Sequence, residues 1–213
     1  MKKYILCAGA LAFLPTMAHA QDTGSFSGFY AGVQGGIDNF EVQVDVDLGV
    51  LDPAYAGETA YFDGLSGNGV GGDVFLGYQR AFGDTFFGIE GFGGLKSASV
   101  SAGVGDFEGE VEARETYGAA VRFGAKVSNS TALYARVGWV NTRFETTGTD
   151  GVDVYSEDET EDAIQFGGGI ETMIGRKLSL RAEYLYEDYG SAGLGDGVSV
   201  ENGVFRAGLT QRF

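Results

Sequence analysis

The stretch ETYGAAVRFGAKVSNSTALYARVGWVNTRF, residues 115–144, decides the fold. In its first half Tyr117, Ala119, Val121, Phe123 and Ala125 alternate with Gly118, Ala120, Arg122, Gly124 and Lys126. A period of two is the mark of a strand with unlike faces. Ser128-Asn129-Ser130 then supplies turn residues. Alternation resumes beyond them, with Leu133, Ala135, Val137 and Trp139 opposite Tyr134, Arg136 and Gly138. The two halves read as a hairpin in which one face holds the large apolar groups and the other holds glycine and ionised side chains.

Working outward, the same pattern recurs at 28–37, 70–82, 85–95, 163–174, 178–189 and 203–213, which makes eight segments. Each is about as long as the roughly 9–11 residues a tilted strand needs to cross a hydrocarbon layer. The connections alternate too. About 32 residues follow the first segment, whereas Gly83-Asp84, Ser128-Asn129-Ser130 and Gly175-Arg176-Lys177 are short turns, all at one end. The expected fold is therefore all-β, an eight-stranded antiparallel transmembrane up-and-down barrel with short periplasmic turns and long external loops. A soluble lipocalin-like barrel has the same strand count, but it would carry its apolar residues inside. Here the ionised groups share the face that holds the glycines.

Residues 1–20 read as a cleaved signal peptide: Lys2 and Lys3 lead an apolar run, and Ala18-His19-Ala20 has the small-x-small form of a cleavage site. The run is shorter than the roughly 20 residues of a spanning helix, and Pro15 interrupts it. Residues 21–213 form the barrel domain. This segment contains neither of the chain's single Cys and single His, and has twelve basic against thirty acidic residues. Such an acidic chain is not expected to bind nucleic acid. Without His or Cys, a Ser-His-Asp triad cannot be assembled and a zinc site loses its usual ligands. No enzyme, metal or cofactor is expected. A carboxylate pair such as Glu90 with Glu171 could act as acid and base, but pairing with arginine is the plainer role.

The alternation assigns Glu90, Glu115, Arg122, Arg136, Glu171, Arg181, Glu183, Arg206 and Arg212 to the lumen. Eight strands enclose a space that side chains can fill, and buried charges must pair, so these residues are expected to form an ion-pair plug. A charged constriction passing small ions or solutes is the alternative. Inward glycines are expected to make room for the long Arg and Glu side chains. Tyr78, Phe123, Trp139, Tyr184 and Tyr186 suit an interfacial aromatic girdle. Two acidic runs are assigned to external loops: Asp38, Glu41, Asp45, Asp47, Asp52, Glu58 and Asp63, and then Asp150, Asp153, Glu157, Asp158, Glu159, Glu161 and Asp162. They read as a solvated face, or as weak sites for divalent cations bridging to lipopolysaccharide phosphates.

The pieces GFYAGVQGG (28–36), LGYQRAFGDTFFGIEGFGG (76–94), LYARVGWVNTRF (133–144), LSLRAEYLYEDYG (178–190) and VFRAGLTQRF (204–213) resemble the porin-family outer-membrane β-barrel domain, which includes OmpA-like and opacity-protein-like surface antigens. The resemblance spans nearly all of the chain beyond the signal. It implies residence in the outer membrane of a Gram-negative bacterium, among its lipid and lipopolysaccharide. It also implies assembly by the barrel insertion machinery, which reads a last strand ending in an aromatic residue. Phe205, Leu209 and Phe213 match that signal. The family spans adhesins, structural proteins and small channels, so the implied function is a structural or interaction role in the envelope, with a possible surface partner through the loops.

Overall fold

The structure is a computed structural model that describes residues 26–47, 59–104, 107–149, 154–190 and 198–213. The signal segment, 1–20, and the side chains of Asp45, Asp47, Asp52, Glu58, Asp63, Asp150, Asp153 and Glu157 lie outside the described residues. The elements are β1 (Gly28–Asp47), β2 (Thr59–Phe82), β3 (Thr85–Lys96), β4 (Ser99–Val104), β5 (Phe107–Lys126), β6 (Thr131–Thr149), β7 (Val154–Met173), β8 (Leu178–Asp188) and β9 (Val198–Arg212).

All pairings are antiparallel between chain neighbours, except that β3 pairs with β5 and β1 pairs with β9. Strands β3 and β4 both lie against β5, and so form one barrel strand broken at Ser97 and Ala98. Counted that way, eight strands close the sheet on itself, which leaves no free edge to template aggregation. At the seam, Tyr30 is opposite Arg212 and Val33 opposite Leu209. The Phe213 N–H donates to the Phe29 carbonyl at 2.9 Å, and that of Arg212 donates to Lys177 at 2.8 Å.

The short turns have their own local chemistry. Gly83 adopts a positive φ of 65°, which only glycine takes without a Cβ penalty. The Ser128 hydroxyl accepts from the backbone N–H groups of Ser130 and Thr131. The ladder, however, runs well past the apolar pattern at the other end: β1 continues ten residues beyond Ile37, and β6 and β7 stay paired out to Thr149 and Val154. Backbone groups satisfy each other wherever two strands run side by side, whatever their side chains face. Asp158, Glu159, Glu161 and Asp162, expected in a loop, are therefore on β7.

Outside, Phe29, Val33, Ile37, Val74, Leu76, Phe87, Ile89, Val121, Phe123, Val137, Phe166, Ile170, Leu180 and Leu209 form an exposed apolar belt. Inside, the barrel is layered. At the turn end Phe26, Phe86, Ala132 and Tyr134 form one buried cluster. At the loop end Phe40, Ala98, Ala113, Val140, Ala163, Tyr189 and Val200 form another. Between them lie the ionised side chains.

Candidate functional site: the charged lumen

Glu90 on β3 is the centre of the lower network. Arg181, on β8, donates to both of its carboxylate oxygens at 2.8 and 3.2 Å, and the Tyr30 hydroxyl donates at 3.0 Å. The guanidinium groups of Arg136 and Arg122 stand 3.4 and 3.6 Å away. Glu171 on β7 takes Arg122 at 3.0 Å, Arg212 at 2.6 Å and the Ser179 hydroxyl. Glu183 takes Arg181 at 2.6 Å and the Tyr134 hydroxyl at 2.8 Å. The guanidinium planes also rest on rings. Arg122 lies 3.9 Å from the Tyr134 centroid, Arg181 4.0 Å from Phe75 and Arg136 4.5 Å from Phe92. Such faces attract a cation more strongly where water is excluded.

A second network sits toward the loop end. Arg206 grips Asp38 at 2.9 Å and Asp73 at 2.9 Å. Lys96 donates to Glu187 at 2.6 Å and lies 3.7 Å from Asp38. Gln165 joins the two networks, accepting from Arg136 and donating to Glu187 at 2.8 Å. The Tyr189 hydroxyl and Asn202 complete the shell of Glu187, each at 2.8 Å.

Among the described residues the buried ionised side chains balance. Lys96, Arg122, Arg136, Arg181, Arg206 and Arg212 are matched by Asp38, Asp73, Glu90, Glu171, Glu183 and Glu187, six of each sign. The chain's formal charge of −16 therefore resides outside this set. A gap between the two networks, bordered by Gln34, Asp73, Lys96, Arg136 and Glu187, measures about 10 Å³. That is about the volume one water needs.

Of the residues assigned to the lumen by alternation, Glu90, Arg122, Arg136, Glu171, Arg181, Glu183, Arg206 and Arg212 lie inside the barrel. Glu115 does not. Its side chain is 57% exposed and stands 3.9 Å from Arg143. The register of β5 on β6 shifts between Ala113 and Thr116, so a bulge leaves both Arg114 and Glu115 outward. Glu115 also shares the odd-numbered parity of Tyr117, which already faces out.

Asp38 is corrected in the opposite sense: assigned to an external acidic loop, it is 1% exposed and bonded to Arg206. Lys96, outside the set that the alternation assigns to the lumen, is buried as well and bonded to Glu187. Both lie one residue beyond the end of the apolar alternation, at Ile37 and Leu95, where the inward face continues although the outward face has ceased to be lipid-like. The inward glycines also have a different tenant. A Cβ at Gly32 would strike the Phe75 ring, at Gly77 the Tyr30 ring, at Gly118 Phe92 and at Gly124 Phe86. They make room chiefly for aromatic rings, on which the arginines then rest. Gly71, facing Arg206 and Asp38, and Gly94, facing the Asp73 carboxylate, are the ones among the described residues that serve an ion pair.

Among the outward aromatics, Tyr78, Trp139 and Tyr184 are exposed along with Phe123, while Tyr186 is half-buried against Phe166, 5.2 Å between centroids. Phe205 and Leu209 face outward on β9, and Phe213 follows them at the turn end. Beyond the belt, Arg143 pairs with Asp158, and Arg114 with Glu112 at 3.0 Å and Glu145 at 3.4 Å. The Glu161 carboxyl there is pushed above its ordinary pKa by partial burial, then by Glu159 and Asp162. Among the described residues no cluster of His, Cys, Asp and Glu could hold a metal ion.

A closed antiparallel barrel with an apolar exterior and an ionised, filled interior is the architecture of a small outer-membrane protein. The chain belongs to the outer membrane protein β-barrel domain family, which it matches over residues 6–213. Among solved structures it is similar to the outer membrane protein OprG from Pseudomonas aeruginosa, at 15% identity and a TM-score of 0.50, over 90% of this chain and 99% of that one. Ail, the attachment invasion locus protein of Yersinia pestis, aligns at 15% identity and a TM-score of 0.47, covering 87% and 99%. Neisserial surface protein A aligns at 18% and 0.46, covering 88% and 98%. No curated protein sequence matches the chain.

Proposed function

We propose that this protein is a non-conducting barrel of the outer membrane that serves as a surface element of the envelope, structural or adhesive, through its acidic outer end. The observation that carries this reading is the balanced lumen: among the described residues, six cations and six anions are paired between two clusters that contain aromatic rings, and the gap where the two networks meet has the volume of about one water. A permeant ion would have to break several buried pairs, each costing about 3–5 kcal/mol when one partner is lost. That opposes the narrow-porin alternative. An enzymatic role has as little to stand on. Glu90 and Glu171 are each bound by arginines, which fixes both as carboxylates rather than as an acid and a base.

The same reading assigns Tyr78, Phe123, Trp139, Tyr184 and Tyr186 to contact with lipid headgroups, and Phe205, Leu209 and Phe213 to recognition by the insertion machinery. Partners meet the loop end, where lipopolysaccharide also lies. Residues 1–20 are removed on export. Proteoliposomes swelling in isotonic glycerol test the closed lumen: swelling should be no faster than in empty vesicles. A rate rising with protein content would favour the porin alternative.

A further inference from the structure

The lipid-facing belt carries small residues side by side on adjoining strands at several places among the described residues, and at one of them the neighbouring walls leave a groove. Gly91 on β3 is paired with Ala119 on β5, and both face outward. Around them Leu76, Tyr78, Ile89 and Val137 stand up as walls, and the result is an open groove of about 570 Å³. Its lining is nearly all hydrocarbon. In a bilayer such a groove does not stay empty, because lining atoms without neighbours forfeit their dispersion contacts.

One cation is placed at the mouth of this groove. Arg80 follows Tyr78 by two residues on β2 and so continues the same outward column toward the turn end. Its guanidinium lies 5.5 Å over the ring of Phe82, nearer still to the turns, and it makes no ion pair among the described residues. Arg176 and Lys177 are exposed at the same end, whereas Asp84 is partly offset by Lys126 at 3.6 Å. This end is cationic, in contrast to the acidic loop end. With about 3.3 Å of rise per residue, the walls at Leu76 lie about 13 Å along the strand from Arg80. A fatty chain held in the groove would present its glycerol phosphate there.

We propose that the groove over β2, β3, β5 and β6 seats an acyl chain of an anionic phospholipid from the periplasmic leaflet, whose phosphate is met by Arg80. The inference rests on the placement of the barrel in the membrane with its short turns toward the periplasm. The occupant is lipid rather than a second copy because the groove ends on an unpaired cation, not on a complementary carboxylate of the same belt.

The chain carries its own reporter. Trp139 is the single tryptophan, and it is paired with Ala119 at the groove. In vesicles of phosphatidylcholine with a minor fraction of phosphatidylglycerol brominated in its acyl chains, Trp139 quenching should exceed that expected from the mole fraction. The relative affinity should be about fivefold, as for one basic residue at an anionic surface. Ala119→Phe and Gly91→Leu, which fill the groove, should each return quenching to the mole fraction, and Arg80→Gln should remove the preference for phosphatidylglycerol. Quenching that tracks mole fraction in the wild-type protein, or enrichment unchanged in both filled variants, would overturn the seat. Cross-linked dimers lost in the filled variants would assign the groove to a second copy instead and also overturn it. If brominated phosphatidylcholine alone fails to quench Trp139, the membrane placement itself falls, a result distinct from loss of selectivity.

Discussion

Glu90→Gln removes one negative charge from the centre of the lumen while keeping the shape and one acceptor. The consequences follow from the contacts of the three surrounding arginines. Arg181 retains Glu183 at 2.6 Å, and Arg122 retains Glu171 at 3.0 Å. Arg136 has Glu90 as its only ion-pair partner within 4 Å among the described residues, and keeps the neutral Gln165, the Phe92 ring and the more distant charge of Glu183. One buried guanidinium is thus stranded rather than three, which places the loss at the lower end of the 3–5 kcal/mol range, at about 3 kcal/mol. Equilibrium unfolding in urea from lipid vesicles, followed by the fluorescence of Trp139, measures it. The sharper expectation concerns Glu90→Gln combined with Arg136→Met. That pair restores neutrality and should be more stable than Glu90→Gln alone by about 1–2 kcal/mol, a coupling of the size found between residues in direct contact. A single-variant loss below about 1 kcal/mol, or a double variant no more stable than the single, would refute a plug held by charge balance.

Gly118→Ala should cost about 1–3 kcal/mol by overpacking, because its Cβ would meet the Trp139 carbonyl and the Phe92 ring, while Gly91→Ala on the neighbouring strand, with only the Gly118 carbonyl as near as 4.0 Å, should cost almost nothing in the same unfolding assay. Phe213→Ala should lower the yield of barrel assembled in the outer membrane while leaving the urea midpoint of purified folded protein nearly unchanged; equal losses in both would make Phe213 a packing residue rather than a signal. Glu161 has a raised folded-state pKa, so its contribution to stability is full below the ordinary carboxylate range and is lost as pH rises through the raised value. Glu161→Gln should therefore slow hydrogen exchange in the outer parts of β6 and β7 relative to the parent at pH 7 but not at pH 4.

The architecture was legible because the alternation carries it twice over. Val121 and Phe123 demanded lipid on one face, Arg122 and Gly124 demanded enclosure on the other, and only a closed barrel satisfies both. What escaped did so where that double constraint lapses. Past Ile37 and Leu95 the outer face no longer needs to be apolar, so Asp38 and Lys96 carried no mark of being inside, although both end in the same buried cluster. At Arg114 a bulge inserts an extra residue, which no period-two reading can detect from side chains alone, whereas Glu115 keeps the outward parity of Tyr117, so that a strict alternation already turns it out of the lumen. The glycines announced that space was needed, but not for whom, since ring placement depends on the shear between strands far apart in sequence: Tyr30 reaches Gly77 across the β1–β2 pair, and Phe86 reaches Gly124 across β3–β5.

In the function proposed for this protein, a balanced set of buried charges closes the lumen. Conductance of the purified protein in a planar bilayer addresses it directly. No stable single-channel steps are expected for the intact chain at about 1 M salt, where a screening length of about 3 Å leaves buried pairs intact. Steady, reproducible steps whose ion selectivity changes on substituting Arg136 or Arg206 would show that the charges line a pathway instead of filling it.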